Sequence, residues 1–181
     1  MIDSGLALHE DETTGTVATS QVVDEGNGMK IRLFEKQDAE TVARLFYETV
    51  REINSRDYSS QQVQAWAPDD LHFIDWETRC SSRFTYVADD DGVIAGFGEL
   101  EPDGHIDCFY SHKDYQRCGV GSQIYQAIEA KAIALGVKRL AVEASITAKP
   151  FFQRMGFAIV NEQEVICRGE RFINYVMEKW L

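Results

Sequence analysis

A chain of 181 residues is one ordinary domain with room for a tail, and its 44% hydrophobic and 27% charged residues describe a globular protein able to bury a core without metal or disulfide staples. A formal net charge of -12 and a pI near 4.7 exclude the basic face that general nucleic-acid binding requires and point instead to cationic partners. No apolar run approaches the roughly 20 residues of a membrane helix and no signal peptide opens the chain, so the expected setting is the cytoplasm, with no membrane partner. Cys80, Cys108, Cys118 and Cys167 are scattered singly, so reduced thiols are expected and no metal site.

Residues 1–28 contain no aromatic residue, Lys or Arg, whereas Asp3, Glu10, Asp11, Glu12, Asp24 and Glu25 make them acidic. Such a stretch buries little and is expected to be a disordered extension. The first strand-like run, Lys30–Phe34, follows Met29, which places the folded domain at 29–181. From Asp38, an N-cap residue type, Val42, Leu45, Phe46, Val50 and Ile53 recur at helical spacing. Ser59–Gln62 has the form of a capping box for a short second helix ending near Pro68. The aromatic stretch Leu71–Arg79 is expected to be a further helix covering a cleft.

Arg83–Ala88, Val93–Leu100 and His105–Ser111 read as strands joined by the turn sequences Asp89–Gly92 and Glu101–Gly104, an antiparallel meander. Ile124, Ile128, Ala132 and Leu135 make one face of a long helix closed by Gly136. A strand at Arg139–Glu143, a short helix at Pro150–Met155 and a terminal hairpin, Phe157–Ile166 and Arg171–Glu178 around Arg168–Glu170, complete the chain. The order β-α-α-β-β-β-α-β-α-β-β is an α/β fold of the α+β kind with a mixed sheet, since a doubly wound parallel fold would alternate strand and helix throughout.

Between the strand ending at Ser111 and the long helix lies Gln116-Arg117-Cys118-Gly119-Val120-Gly121. Backbone N–H groups at a helix entry, with the positive end of the helix dipole, form an anion site, and glycine at 119 and 121 lets phosphates approach the main chain. The Walker pattern is absent, and a dinucleotide fingerprint would need glycine where Ile124 stands. Further on comes Phe151-Phe152-Gln153-Arg154-Met155-Gly156-Phe157. Together the two runs resemble the GNAT superfamily of N-acetyltransferases, across Met29–Leu181. The first matches that family's Q/R-x-x-G-x-G/A, and the second is similar to its hydrophobic-Tyr-x-x-x-Gly-Phe ending of a short helix.

The resemblance implies a GNAT-type acyl-CoA N-acyltransferase fold in which the strands His105–Ser111 and Arg139–Glu143 splay apart, with acetyl-CoA as co-substrate. Main-chain groups of Phe109, Tyr110 and Ser111 would bond the pantetheine arm like an added strand. Gln116, Arg117, Cys118, Gly119, Val120, Gly121 and Ser122 would take the pyrophosphate. Ser145 and Phe152 would also border the cofactor, with Lys149 in reach of a phosphate.

The implied reaction is direct transfer of an acetyl group to an amine, which arrives protonated and requires a base or a water relay. Strand alternation puts His105, Asp107 and Phe109 on one face and Ile106, Cys108 and Tyr110 on the other. Asp107 is the first candidate base, His105 its neighbour and Glu99 on the adjoining strand the reserve; the plain alternative is that these are satisfied structural residues. Glu143 is placed to bind the acceptor's cation. Where the family carries an acidic Tyr this chain has Phe152, so protonation of the leaving thiolate falls to water, Tyr110 or Tyr175. Alternation turns Cys108 away from His105 and Asp107, and Cys118 points outward from its loop, which disfavours an acyl-cysteine route. Trp66, Phe73 and Trp76 are candidate pocket walls. Partners expected are acetyl-CoA and a cationic amine, and a homodimer is compatible with the sequence. Competing readings are an acyl-CoA-binding regulatory module without efficient catalysis and a protein N-terminal or lysine acetyltransferase.

Overall fold

The structure is a computed structural model and describes residues 28–181; the acidic extension read from the sequence lies outside the described residues except for Gly28. Strands β1 (Met29–Leu33), β2 (Phe84–Asp90), β3 (Val93–Leu100) and β4 (His105–Ser111) pair antiparallel in turn. Strand β5 (Arg139–Ser145) runs parallel to β4. It pairs antiparallel on its other side with β7 (Glu170–Trp180), which forms a hairpin with β6 (Ala158–Cys167). The result is one seven-stranded sheet in the order β1-β2-β3-β4-β5-β7-β6.

Helices cover both faces of the sheet centre. On one face lies α4 (Val120–Ala134), whose Ile124 and Ile128 meet Ile106, Leu140, Val142 and Met177 in a closed core. Its approach is set by β3, because a Cβ on Gly98 would lie 2.8 Å from both Ile124 and Phe109. The other face carries α1 (Ala39–Glu52), α2 (Ser60–Trp66) and α3 (Trp76–Ser81), with Val42, Phe46, Val50, Trp76, Val87 and Phe97 packed together. Each such side chain fully removed from water stabilises the fold by roughly 1.5–3 kcal/mol. A short helix, α5 (Lys149–Arg154), follows β5.

Two local expectations are corrected. The helix read from Leu71–Arg79 begins only at Trp76, because Asp75 caps it, accepting the Thr78 N–H at 3.0 Å, while Asp70 accepts the His72 N–H in a preceding turn. Asp38 precedes α1 but makes no side-chain cap to it. Its carboxylate accepts the Glu35 N–H at 2.8 Å and is held by Arg32 at 2.7 Å. The capping box at Ser59 is present as read: Ser59 Oγ accepts the Gln62 N–H and Gln62 Oε1 accepts the Ser59 N–H.

Candidate active site

Strands β4 and β5 share only two register pairs, His105 with Ala141 and Ile106 with Val142, and beyond them they part. The cause is visible on the opposite edge of β4. There the register to β3 slips by one, with Gly98 opposite Phe109 but Leu100 opposite Ile106, so Asp107 and Cys108 together face Glu99. A bulge of this kind bends its strand and increases the twist.

The bulge overturns the strict alternation expected of β4. Ile106 and Phe109 pack towards α4, whereas Cys108 and Tyr110 belong to the core beneath α1. One extra residue exchanges the faces, and it brings Asp107 and Cys108 to the same guanidinium. The expectation that Cys108 faces away from Asp107 is therefore wrong.

A cleft of about 890 Å³ runs through the gap. At one end Gln116 Nε2 donates to the Ser111 and His112 carbonyls at 2.8 and 3.2 Å, tying the loop to the end of β4. Arg117 and Gly119 both adopt left-handed backbone, with φ of 63° and 84°, which turns the chain sharply into α4. The first helical bond runs from Gln123 N–H to Gly119 O, so the N–H groups of Val120, Gly121 and Ser122 stand ahead of the ladder, as at any helix start. A Cβ on Gly121 would sit 3.1 Å from the Phe151 ring, and Arg117 and Arg154 line the same cleft. Free N–H groups, the positive helix end and cationic walls fit a diphosphate.

Other positions read from the sequence fall as follows. Phe109, Tyr110 and Ser111 line the cleft along β4, and Ser145 lines it from β5, its Oγ accepting the Ala148 N–H at 3.1 Å. Phe152 is 1% exposed, its ring against Phe109, Phe151 and Phe157, so it supports the wall with no proton to offer. Lys149 does not approach the loop; its Nζ lies 3.7 Å from the centre of the Tyr175 ring. Cys118 is exposed. Trp66 borders the cleft, whereas Phe73 and Trp76 pack into the core around Phe46. Burial pushes the Tyr110 phenol well above its ordinary value.

At the other end stands a cluster of carboxylates and guanidiniums. Arg79, from α3, donates through Nε and Nη2 to Glu99 at 2.9–3.1 Å. Its Nη2 also reaches Asp107 at 2.5 Å and Cys108 Sγ at 3.1 Å. Arg83 adds contacts to Glu101 at 2.8 Å and Asp107 at 3.5 Å. Glu99 is fully buried; burial pushes its carboxyl up, against the pull of Arg79. Across the mouth of the gap, His105 Nε2 and Glu143 Oε2 are 2.5 Å apart, and His105 Nδ1 lies 3.5 Å from Glu101. Burial alone would lower the His105 pKa, but the Glu143 hydrogen bond and the charges of Glu143, Asp107 and Glu101 outweigh it and hold it above 6.5.

The structure thus brings all three candidate bases together and gives them unlike surroundings. Arg79 and Arg83 escaped the sequence reading, as did a clasp over the gap in which Tyr58 hydroxyl accepts the Ile146 N–H at 3.0 Å and Thr147 Oγ1 donates to Asp57 at 2.6 Å. No local pattern marks these residues, whose partners described above lie 18 to 90 positions away. Among the described residues no group of His, Cys, Asp and Glu is arranged to hold a metal ion, and no helix is long and apolar enough to cross a membrane.

Parted parallel strands beside a glycine-led helix entry are the framework of an acyltransferase. Residues 54–179 match the family model described as acetyltransferase (GNAT) domain, and the chain belongs to that family. It is 34% identical over 152 residues to the uncharacterized N-acetyltransferase YafP of Escherichia coli (strain K12), spanning 83% of this chain and 95% of that protein. A crystal structure described as GCN5-related N-acetyltransferase: aminotransferase, class-II, from Rhodopseudomonas palustris superposes with a TM-score of 0.77 at 35% identity, covering 83% of this chain and 94% of that one. The PaiA N-acetyltransferase of Thermoplasma acidophilum, solved in complex with coenzyme A, has a TM-score of 0.67 at 16% identity over 84% and 99% of the chains, a likeness of fold.

Proposed function

We propose that this acyltransferase moves an acetyl group from acetyl-CoA directly to a primary amine, with His105 as the base and Glu143 as its partner. The observation that carries this reading is the 2.5 Å contact of His105 with Glu143, which lines the cleft just beyond the last β4–β5 register pair. Asp107, the first choice from sequence, is engaged by Arg79 and Arg83 and serves better as a fixed charge beside the amine. Glu99, closed off from the cleft, is the counter-charge that holds Arg79.

Acetyl-CoA supplies the thioester. The N–H groups at the start of α4 hold its pyrophosphate, and the free edge of β4 at Phe109–Ser111 accompanies the pantetheine. The four carboxylates Glu99, Glu101, Asp107 and Glu143 are met by two guanidiniums, Arg79 and Arg83, and by His105, and the remaining negative charge draws an ammonium group to this end of the cleft. His105 takes the ammonium proton and Glu143 steadies the resulting imidazolium. The neutral amine then attacks the carbonyl carbon; the new C–N bond forms, the C–S bond breaks, and the nitrogen gives up its second proton through water to the departing thiolate, since Phe152 has none to give.

Thermal unfolding with acetyl-CoA, coenzyme A and ATP in parallel tests the cofactor: the first two stabilise by about 2.7 kcal/mol at a hundredfold excess over Kd, and stabilisation by ATP alone would refute it. Release of free coenzyme A across an amine panel tests the chemistry. His105→Ala is expected to lower kcat/KM about 10²–10⁴-fold with acetyl-CoA binding intact. The second reading, a binding module without efficient transfer, is favoured by Phe152 and predicts the same binding with no turnover to lose.

A further inference from the structure

The acceptor end of the cleft is closed on two sides. Helix α2 is bonded to the β6–β7 turn: Gln62 Nε2 donates to the Arg171 carbonyl at 2.5 Å, and Arg168 Nη1 donates to the Ala65 carbonyl at 2.7 Å. Phe172 seals the same junction, its ring 5.7 Å from Tyr58 and 5.9 Å from Trp66. The same Tyr58, with Asp57, clasps Ile146 and Thr147 and ties the end of β5 to the turn before α2. A bound peptide needs an open channel with strand-like main-chain groups free to pair with it. Here those flanks are already bonded to each other.

Within these closures stand two aromatic rings that line the cleft, Trp66 and Tyr110. Trp66 is fixed edge-on by Tyr58, with centroids 5.3 Å apart at 86°. Tyr110 is fixed by Phe46 at 5.0 Å and Phe97 at 5.7 Å. Rigid aromatic faces favour flat apolar bodies and attract cations. Asp107 and Glu143 line the same cleft and supply the charge for one ammonium group. Arg56 and Asp57 also line the cleft, and the Arg56 charge offsets that of Asp57, whose carboxylate accepts from Thr147, so neither favours a second ammonium group.

We infer that the acceptor is a small monoamine with an aromatic or flat apolar body, seated against Trp66 and Tyr110, rather than a peptide or a polyamine. This rests on reading the cleft as the acyl-transfer site, so binding and turnover are measured separately. Calorimetric titration of the coenzyme A-loaded protein with phenethylamine, propylamine, spermidine and a basic peptide reads the acceptor class. Phenethylamine is expected to bind at least ten-fold more tightly than propylamine. Trp66→Ala removes that ratio, Trp66→Phe keeps it, and coenzyme A affinity is unchanged in both, which also reports that they fold. Spermidine or the peptide binding as tightly as phenethylamine, or a ratio that survives in Trp66→Ala, overturns the inference. Phenethylamine bound with that ratio but not acetylated from acetyl-CoA supports it and overturns acyl transfer instead.

Discussion

In the proposed mechanism the chemistry turns on His105, and the environment of that residue fixes a sign that experiment can read. Its pKa lies above the ordinary 6.5, because Glu143, Asp107 and Glu101 outweigh the effect of burial, and only the neutral imidazole accepts a proton. The kcat/KM for an amine should therefore rise with pH through a value above 6.5. In Glu143→Gln that limb should move to lower pH as kcat falls, and pH–rate profiles of the two proteins decide it; an unmoved limb would remove Glu143 from the base. For folding the sign is opposite: the stability His105 contributes is present below its unfolded pKa and is lost as pH rises through the raised folded value. The polar positions on the central strand were legible in the sequence. Their ranking was not, since it depends on Arg79 from α3 and Arg83 from the turn after it, 28 and 24 positions away from Asp107, which arrive only once the chain has folded.

Among the elements, those with a clean period were readable from residues alone. The meander, the long helix closed by Gly136 and the terminal hairpin stand where the turn sequences and apolar spacing put them. The third helix was misplaced because Phe73 and Ile74 are apolar for packing against the α1 core rather than for helical periodicity, and the bulge in β4 was invisible because no residue type announces it. Strand β3 shows how tightly the elements meet. A Cβ on Gly96 would lie 2.8 Å from Val120, 2.9 Å from Ile124 and 2.9 Å from the Tyr110 carbonyl, and the carbonyl cannot retreat without disturbing β4. Gly96→Ala is expected to cost roughly 1–3 kcal/mol by overpacking, read as a lower urea midpoint; an unchanged midpoint would mean that α4 is free to shift.

For the molecule as a whole, the acid limb of stability has an identifiable source. Arg32 on β1 joins Asp38 and Asp89 at 2.7 and 2.9 Å, fastening the edge strand to the start of α1 and to β2. Burial pushes the Asp38 carboxyl up, but Arg32 and the Glu35 N–H outweigh it and hold it below the ordinary range. A lowered folded pKa contributes stability that is present above the unfolded value, near 3.9, and lost as pH falls through the folded one. Arg32→Ala should thus move the acid-unfolding midpoint to higher pH, followed by circular dichroism, and an unmoved midpoint would place the acid sensitivity elsewhere. The parting of β4 and β5 has a mechanical side as well. With two register pairs between them, the sheet is two panels joined at one corner, and among the described residues the chain passes from one to the other through the loop and helix proposed to hold the diphosphate. If that loop holds the diphosphate as proposed, whatever pries the seam apart would also loosen the grip.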